Sequence, residues 1–147
     1  EGDPADEADY VVFGPTSDAR YEVDYGVTYF GNYFVDLDEG DLIVFDPGDE
    51  ATMYPAPSTS TNPTAPYTNG CYRVGIDIPA GTYTVTIEPE AAAEADNECG
   101  AFVMRDLAFG SGSITDEKYV VRGGSQTVTV KDGDWLELYA ATAAPAQ

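Results

Sequence analysis

Two stretches of strict alternation, joined by a turn, limit the folds open to this chain more than any other feature. In "CYRVGIDIPAGTYTVTIEP", Cys71 to Pro89, the residues Tyr72, Val74, Ile76 and Ile78 project one way and Arg73, Gly75 and Asp77 the other. After Pro79-Ala80-Gly81, Tyr83, Val85 and Ile87 share a face while Thr82, Thr84 and Thr86 take its opposite. Side chains alternate across a strand with period two, so both arms read as half-buried antiparallel strands. Pro79 presets φ for a turn and Gly81 suits its exit, which makes "IPAG" a hairpin-like corner. The motif is fully explained as scaffold.

A second hairpin is expected near the end of the chain. In "TVTVKDGDWLELY", Val128 and Val130 lead into Asp132-Gly133, and Leu136 and Leu138 lead out. Asp-Gly between alternating runs is a strong hairpin signal. An upstream stretch, "FVDLDEGDLIVF", repeats the pattern around Glu39-Gly40. Superposing Gly40 on Gly133 sets Val35 on Val128, Leu37 on Val130, Ile43 on Leu136, Phe45 on Leu138 and Asp41 on Asp134. "YVVF" at Tyr10 to Phe13 matches "AFVM" at Ala101 to Met104 in the same order. The chain carries an internal duplication, and its copies are unequal: only the second has the Tyr72–Ile87 strands ahead of it.

The organisation follows from these landmarks. Residues 1–9 form an acidic leader expected to be disordered, and 10–54 a first, incomplete β repeat. Residues 55–70, rich in Pro, Ser and Thr, form a linker or crossover, and 71–147 the second repeat. The one helical hint, "EAAAEA" at 90–95, is bounded by Pro89 and Asp96-Asn97 and allows about one or two turns. The expected class is all-β, an antiparallel β-sandwich or flattened barrel built from two related, unequal repeats. The expected core is Val74, Ile76, Val85, Val128, Val130, Leu136 and Leu138, with Val35, Leu37, Ile43 and Phe45 as the matching layer of the first copy.

"YRVGIDIPAGTY" followed by "VTVKDGDWLELY" resembles a repeat of secreted proteins and lipoproteins of Gram-positive bacteria. Its form is Tyr-x-Val-Gly-x-Asp-Ile-Pro-Ala-Gly-x-Tyr, closed by Val-x-Val-x-Asp-Gly-x-x-Leu-x-Leu. The likeness spans Tyr72 to Tyr139, about half of the chain, and the first copy keeps only the closing element, with Glu39-Gly40 in place of Asp-Gly. The resemblance implies an exported, surface-associated β domain and brings no catalytic residues with it. The acidic opening "EGDPADEAD" agrees with a trimmed precursor whose export signal has been removed.

Charge narrows the partners. The 147 residues hold 27 acids, 6 bases and no histidine, a formal −21. Such a surface repels phosphate backbones and anionic lipids, which disfavours nucleic acid and membrane surfaces, and no apolar run reaches the ~20 residues of a spanning helix. A surface protein or a glycan remains open as partner. The two cysteines cannot build a zinc site without histidine. In an exported protein they are expected to form a Cys71–Cys99 disulfide closing about 29 residues, for about 3.6 kcal/mol.

No catalytic, cofactor or metal residue stands out. Without histidine the usual general base is missing, and no nucleophile elbow, phosphate loop or dinucleotide fingerprint occurs. An acid pair could run glycoside hydrolysis, but among 27 acids some pair meets the distance by chance. "DLDEGD", Asp36 to Asp41, begins like a calcium loop, yet Gly40 sits where a ligand belongs and no bidentate Glu follows, so it reads as a polar turn. The aromatic run "YEVDYGVTYFGNYF", Tyr21 to Phe34, is the remaining candidate. Its rings either pair across strands or meet a ligand, and Tyr25, Tyr29 and Tyr33 are the expected contacts for a glycan or protein. The expected role is a non-catalytic, exported cell-surface module serving as spacer, adhesion or ligand-binding domain.

Overall fold

Strand follows strand from Glu7 to Pro145, with no helix among the residues described by this computed structural model, which are 2, 6–46, 51–87 and 98–147. The elements are β1 (Glu7–Pro15), β2 (Tyr21–Phe30), β3 (Leu42–Asp46), β4 (Gly70–Arg73), β5 (Gly81–Ile87), β6 (Gly100–Met104), β7 (Ile114–Tyr119), β8 (Gln126–Val130), β9 (Trp135–Tyr139) and β10 (Ala141–Pro145). They form three antiparallel sheets in the orders β2-β1-β3, β10-β5-β8 and β4-β9-β6-β7. Among the described residues no helix is long and apolar enough to cross a membrane. The helical stretch expected over 90–95 lies outside the described residues.

The second copy is a complete sandwich. Val85 and Val128 of one sheet meet Val103, Leu136 and Leu138 of the other, all at most 2% exposed. Each such side chain stabilises the fold by roughly 1.5–3 kcal/mol through the area it removes from water. The Thr82, Thr84, Thr86 and Thr129 side faces out, as the alternation requires.

Both expected hairpins are corners between sheets. The arms flanking Pro79-Gly81 separate, β4 pairing with β9 and β5 with β8 and β10. The arms flanking Asp132-Gly133 separate likewise, β8 to one sheet and β9 to the other. The two corners lock together, Val74 N donating to Asp134 O at 2.9 Å and Gly133 N to Val74 O at 3.0 Å. Ile76, expected in the core, is 47% exposed because the backbone turns at Gly75 and sends Asp77 inward instead.

The duplication is written in the register. β6 lies between β7 and β9 as β1 lies between β2 and β3. Ala101 faces Lys118 and Leu138 as Tyr10 faces Val27 and Phe45, and Val103 faces Asp116 and Leu136 as Val12 faces Tyr25 and Ile43. Even the slip in the ladder recurs, between Val12 and Phe13 and between Val103 and Met104. The first copy begins at Glu7, within the expected leader. Among the described residues it shows no counterparts of β4, β5, β8 and β10. Residues 35–38 therefore have no sheet to join where their counterparts form β8 and reach its turn, and Leu37, expected in the core, is 46% exposed.

Candidate functional site

What the first copy lacks in strands it replaces with its neighbour. The inner face of β2-β1-β3 turns toward the side of β4-β9-β6-β7 that faces away from the sandwich core, so the central sheet is covered on both sides. The link is the segment after β2. Asn32 bridges to Gly70 at the β4 edge, and Asn32 O accepts from Cys71 N. Gly31 makes the approach possible: its φ is +72°, and a Cβ there would lie 2.3 Å from Asn69 O.

Tyr33 reaches across next. Its hydroxyl donates to Glu137 Oε2 at 2.9 Å, and Met104 Sδ lies 4.0 Å away. Phe34 packs against Trp135 with the rings tilted and their centroids 5.2 Å apart, and the Arg73 guanidinium lies 4.9 Å above the Phe34 ring. Phe30 meets Tyr139 edge-on, whose hydroxyl donates to Glu7. Enclosure between the two layers pushes the Glu137 carboxyl up to about 7, against which the Tyr33 hydrogen bond works downward. Burial likewise raises the phenols of Tyr33 and Tyr10 and the thiol of Cys71. Tyr25, whose hydroxyl donates to Asp36 O, is pushed up to about 12 by burial and by the carboxylates of Asp36, Asp24, Asp41 and Asp38.

The expected disulfide is absent. Cys71 and Cys99 are both free and buried. Cys71 points toward the first sheet, beside Met104 and Leu107, whereas Cys99 points into the sandwich core with Val103 and Val120. They lie on opposite faces of the central sheet, and a disulfide needs Cβ atoms about 3.8 Å apart.

Tyr25, Tyr29 and Tyr33 do not form an exposed platform. Tyr29 is 4% exposed, and Tyr25 and Tyr33 are half-buried. With Tyr10 they build a ring cluster in which Tyr29 and Tyr33 lie 5.2 Å apart and Tyr10 is within 6.1–6.2 Å of all three. One side of that cluster opens into a cleft of about 470 Å³. Tyr10, Tyr29, Tyr33, Phe34 and Phe45 line one side, and Tyr54 with Pro57 at the start of the crossover line the other as its wall. Asn32, Thr52 and Thr61 are polar groups at its margin, and no carboxylate lines it among the described residues.

The wall is held by a group that alternation alone leaves unnoticed. Arg73 and Asp77 form a buried ion pair, Nε to Oδ2 at 2.8 Å and Nη2 to Oδ1 at 2.9 Å. Arg73 also donates to Pro57 O and Thr59 O, and Asp77 accepts from both the backbone N and the hydroxyl of Thr61. Burial would raise the Asp77 carboxyl, but the bonds from Arg73 and Thr61 outweigh it and hold the pKa below the usual carboxylate range. An Arg four residues before an Asp, across a glycine, is the signal that could have found this clamp. Tyr67 anchors the far end of the crossover by exchanging backbone bonds with Ala143.

Asp36, Asp38 and Asp41 are exposed or half-exposed, and Asp41 closes a turn by accepting from Asp38 N at 2.8 Å. Among the described residues no three His, Cys, Asp or Glu side chains converge as metal ligands. No protein-family model, curated protein or solved structure matches this chain.

Proposed function

We propose that the chain is a non-catalytic module of an exported, cell-surface protein, and that its aromatic cleft receives a flat, apolar-faced ring, best met by a pyranose of a surface glycan. One observation carries the reading: about 470 Å³ of space is bounded by six rings, Tyr10, Tyr29, Tyr33, Phe34, Phe45 and Tyr54, with a few polar groups at the margin. That is the size and make-up of small-ligand sites, in which rings supply contact area and a few polar groups set orientation. The site is held by the Arg73–Asp77 clamp rather than by loop chance. Export rests on the resemblance of Tyr72–Tyr139 alone, since two free cysteines give no argument about compartment.

The test is a glycan array followed by titration of any hit, watched through tyrosine fluorescence. Tyr54 is 51% exposed at the rim, so Tyr54→Ala should leave the fold intact and weaken binding by about tenfold. An array without hits, or hits indifferent to Tyr54→Ala, rejects the cleft as a glycan site. A glycosidase is the rival, because Glu137 is an acid with a raised pKa. It bonds to Tyr33 and does not line the cleft, so turnover abolished by Glu137→Gln is the result that would favour that rival.

A further inference from the structure

Among the described residues the outer face of the first sheet carries an apolar patch, exposed at Val23, Leu42 and Val44 and half-buried at Val11 and Phe13. Val11 sits beside Val44, and Phe13 beside both Leu42 and Val23, so five side chains form one patch across three strands. Val23, Val44 and Leu42 are 63%, 59% and 49% exposed. Their counterparts in the second copy are Phe102, Glu137, Met104, Trp135 and Ile114, of which Glu137, Met104 and Trp135 meet the first copy through Tyr33 and Phe34. The position that is an interface in one copy is open in the other.

Its borders select the occupant. Toward one end the patch gives way to Asp9 and Asp46, which are direct neighbours, and to Glu7 beyond them. Over residues 1–46 there are 13 acids and one base, Arg20, and that base already pairs with Asp18 at 3.4 Å. Three strands about 4.8 Å apart over a few rungs present roughly 300 Å². A stable dimer needs about 800 Å² per partner, and two copies would also bring −21 against −21. A second copy is a poor fit; a single cationic element is a good one.

We propose that this face seats an amphipathic segment of a partner protein, with apolar side chains on Val11, Phe13, Val23, Leu42 and Val44 and Lys or Arg against Asp9 and Asp46. The probe is a labelled 14-residue Leu/Lys peptide with its leucines on one helical face, set against a scrambled peptide of equal composition. Fluorescence anisotropy should give the amphipathic peptide about tenfold tighter binding, because both peptides carry equal charge. Leu42→Thr with Val44→Thr removes only exposed apolar groups and should erase that preference. Asp9→Asn with Asp46→Asn should weaken binding and flatten its salt dependence. Equal binding of the two peptides overturns the proposal, as does a preference that survives the threonine variant. So does a dimer in sedimentation that the threonine variant dissolves, since that would assign the face to a second copy. Circular dichroism of each variant confirms its fold, and the cleft is untouched by all four substitutions.

Discussion

In the second copy Leu136 and Leu138 are capped by a partner sheet and are at most 1% exposed; in the first, Ile43 and Phe45 occupy the same register and remain half-buried. The strand order, pairing and ladder slip are common to both. The difference lies in what closes the face. The β10-β5-β8 sheet closes the second copy, whereas the 55–70 crossover, a few rings and the back of its twin close the first. Local pairing is thus enough to repeat a sheet, but its apolar face must still be buried by something, and the incomplete closure leaves the cleft.

The sharpest way to break this comparison is to truncate matched residues. Leu136→Ala should cost about 3–5 kcal/mol, because it leaves a hole in a fully enclosed core. Ile43→Ala should cost about 1–2 kcal/mol, because its site already borders open space. Urea unfolding of the two variants measures both. Equal costs would mean that the first sheet is as well enclosed as the second.

A pH series sharpens the contact between the copies. Glu137 has a pKa of about 7 in the folded chain against an ordinary 4.5. Between those values the folded chain holds a proton that the unfolded chain has released, so stability is highest at the acid end and falls as pH rises toward 7. The contribution is about 3 kcal/mol at most. Asp77 has the opposite sign: its lowered pKa stabilises the fold above the usual carboxylate range and is lost only as pH falls below it. Glu137→Gln keeps an acceptor for Tyr33 and removes the titration. It should be more stable than the parent at pH 8 by a few degrees in Tm, and the gap should close near pH 5. Parallel stability curves for variant and parent would remove Glu137 from between the layers.

Gly31→Ala acts on the same contact from the backbone side. The added Cβ meets Asn69 O at a φ of +72°, so the segment after β2 must lift from the β4 edge. The expected cost is about 1–2 kcal/mol, from a conformation that L residues resist. Hydrogen exchange should show the loss at Cys71 N, which donates to Asn32 O, and spare the β5–β8 ladder. Uniform loss of protection would mean that the segment after β2 and the sandwich unfold as one unit.

Period two in the sequence reveals which residues share a face, and nine of the eleven side chains expected inside are buried or half-buried with a core cluster on that basis. It cannot reveal which sheet a strand joins. The arms around Pro79-Gly81 and Asp132-Gly133 alternate identically whether they pair with each other or part at a corner, so corners passed for hairpins. The duplication was legible in Ile43 and Leu136 but not in β2 and β7, where Tyr25 and Asp116 share only a register position. Glu137 escaped notice because antiparallel sheets commonly leave one face wet, and only the first sheet makes that face dry. Val35 and Leu37 looked like their counterparts Val128 and Val130, but a strand needs a ladder partner and theirs is missing.

The smallest expected effect tests the layering itself. If the first sheet lies over Cys71 while the sandwich core encloses Cys99, no oxidation state can join the two thiols in the folded chain. Unreduced protein should then show two free thiols in denaturant and almost none when native, since the residues are 2% and 0% exposed and burial raises the Cys71 thiol away from its reactive thiolate. Adding a reductant should not move the melting temperature. A mass lighter by two hydrogens that recovers on reduction would put both side chains on one face of the central sheet. Reversing Cys71 in this way would turn Tyr72 and Arg73 over as well, because neighbours on a strand take opposite faces. The clamp on Asp77, the ring contact with Phe34 and the seat of the first copy would then fail together.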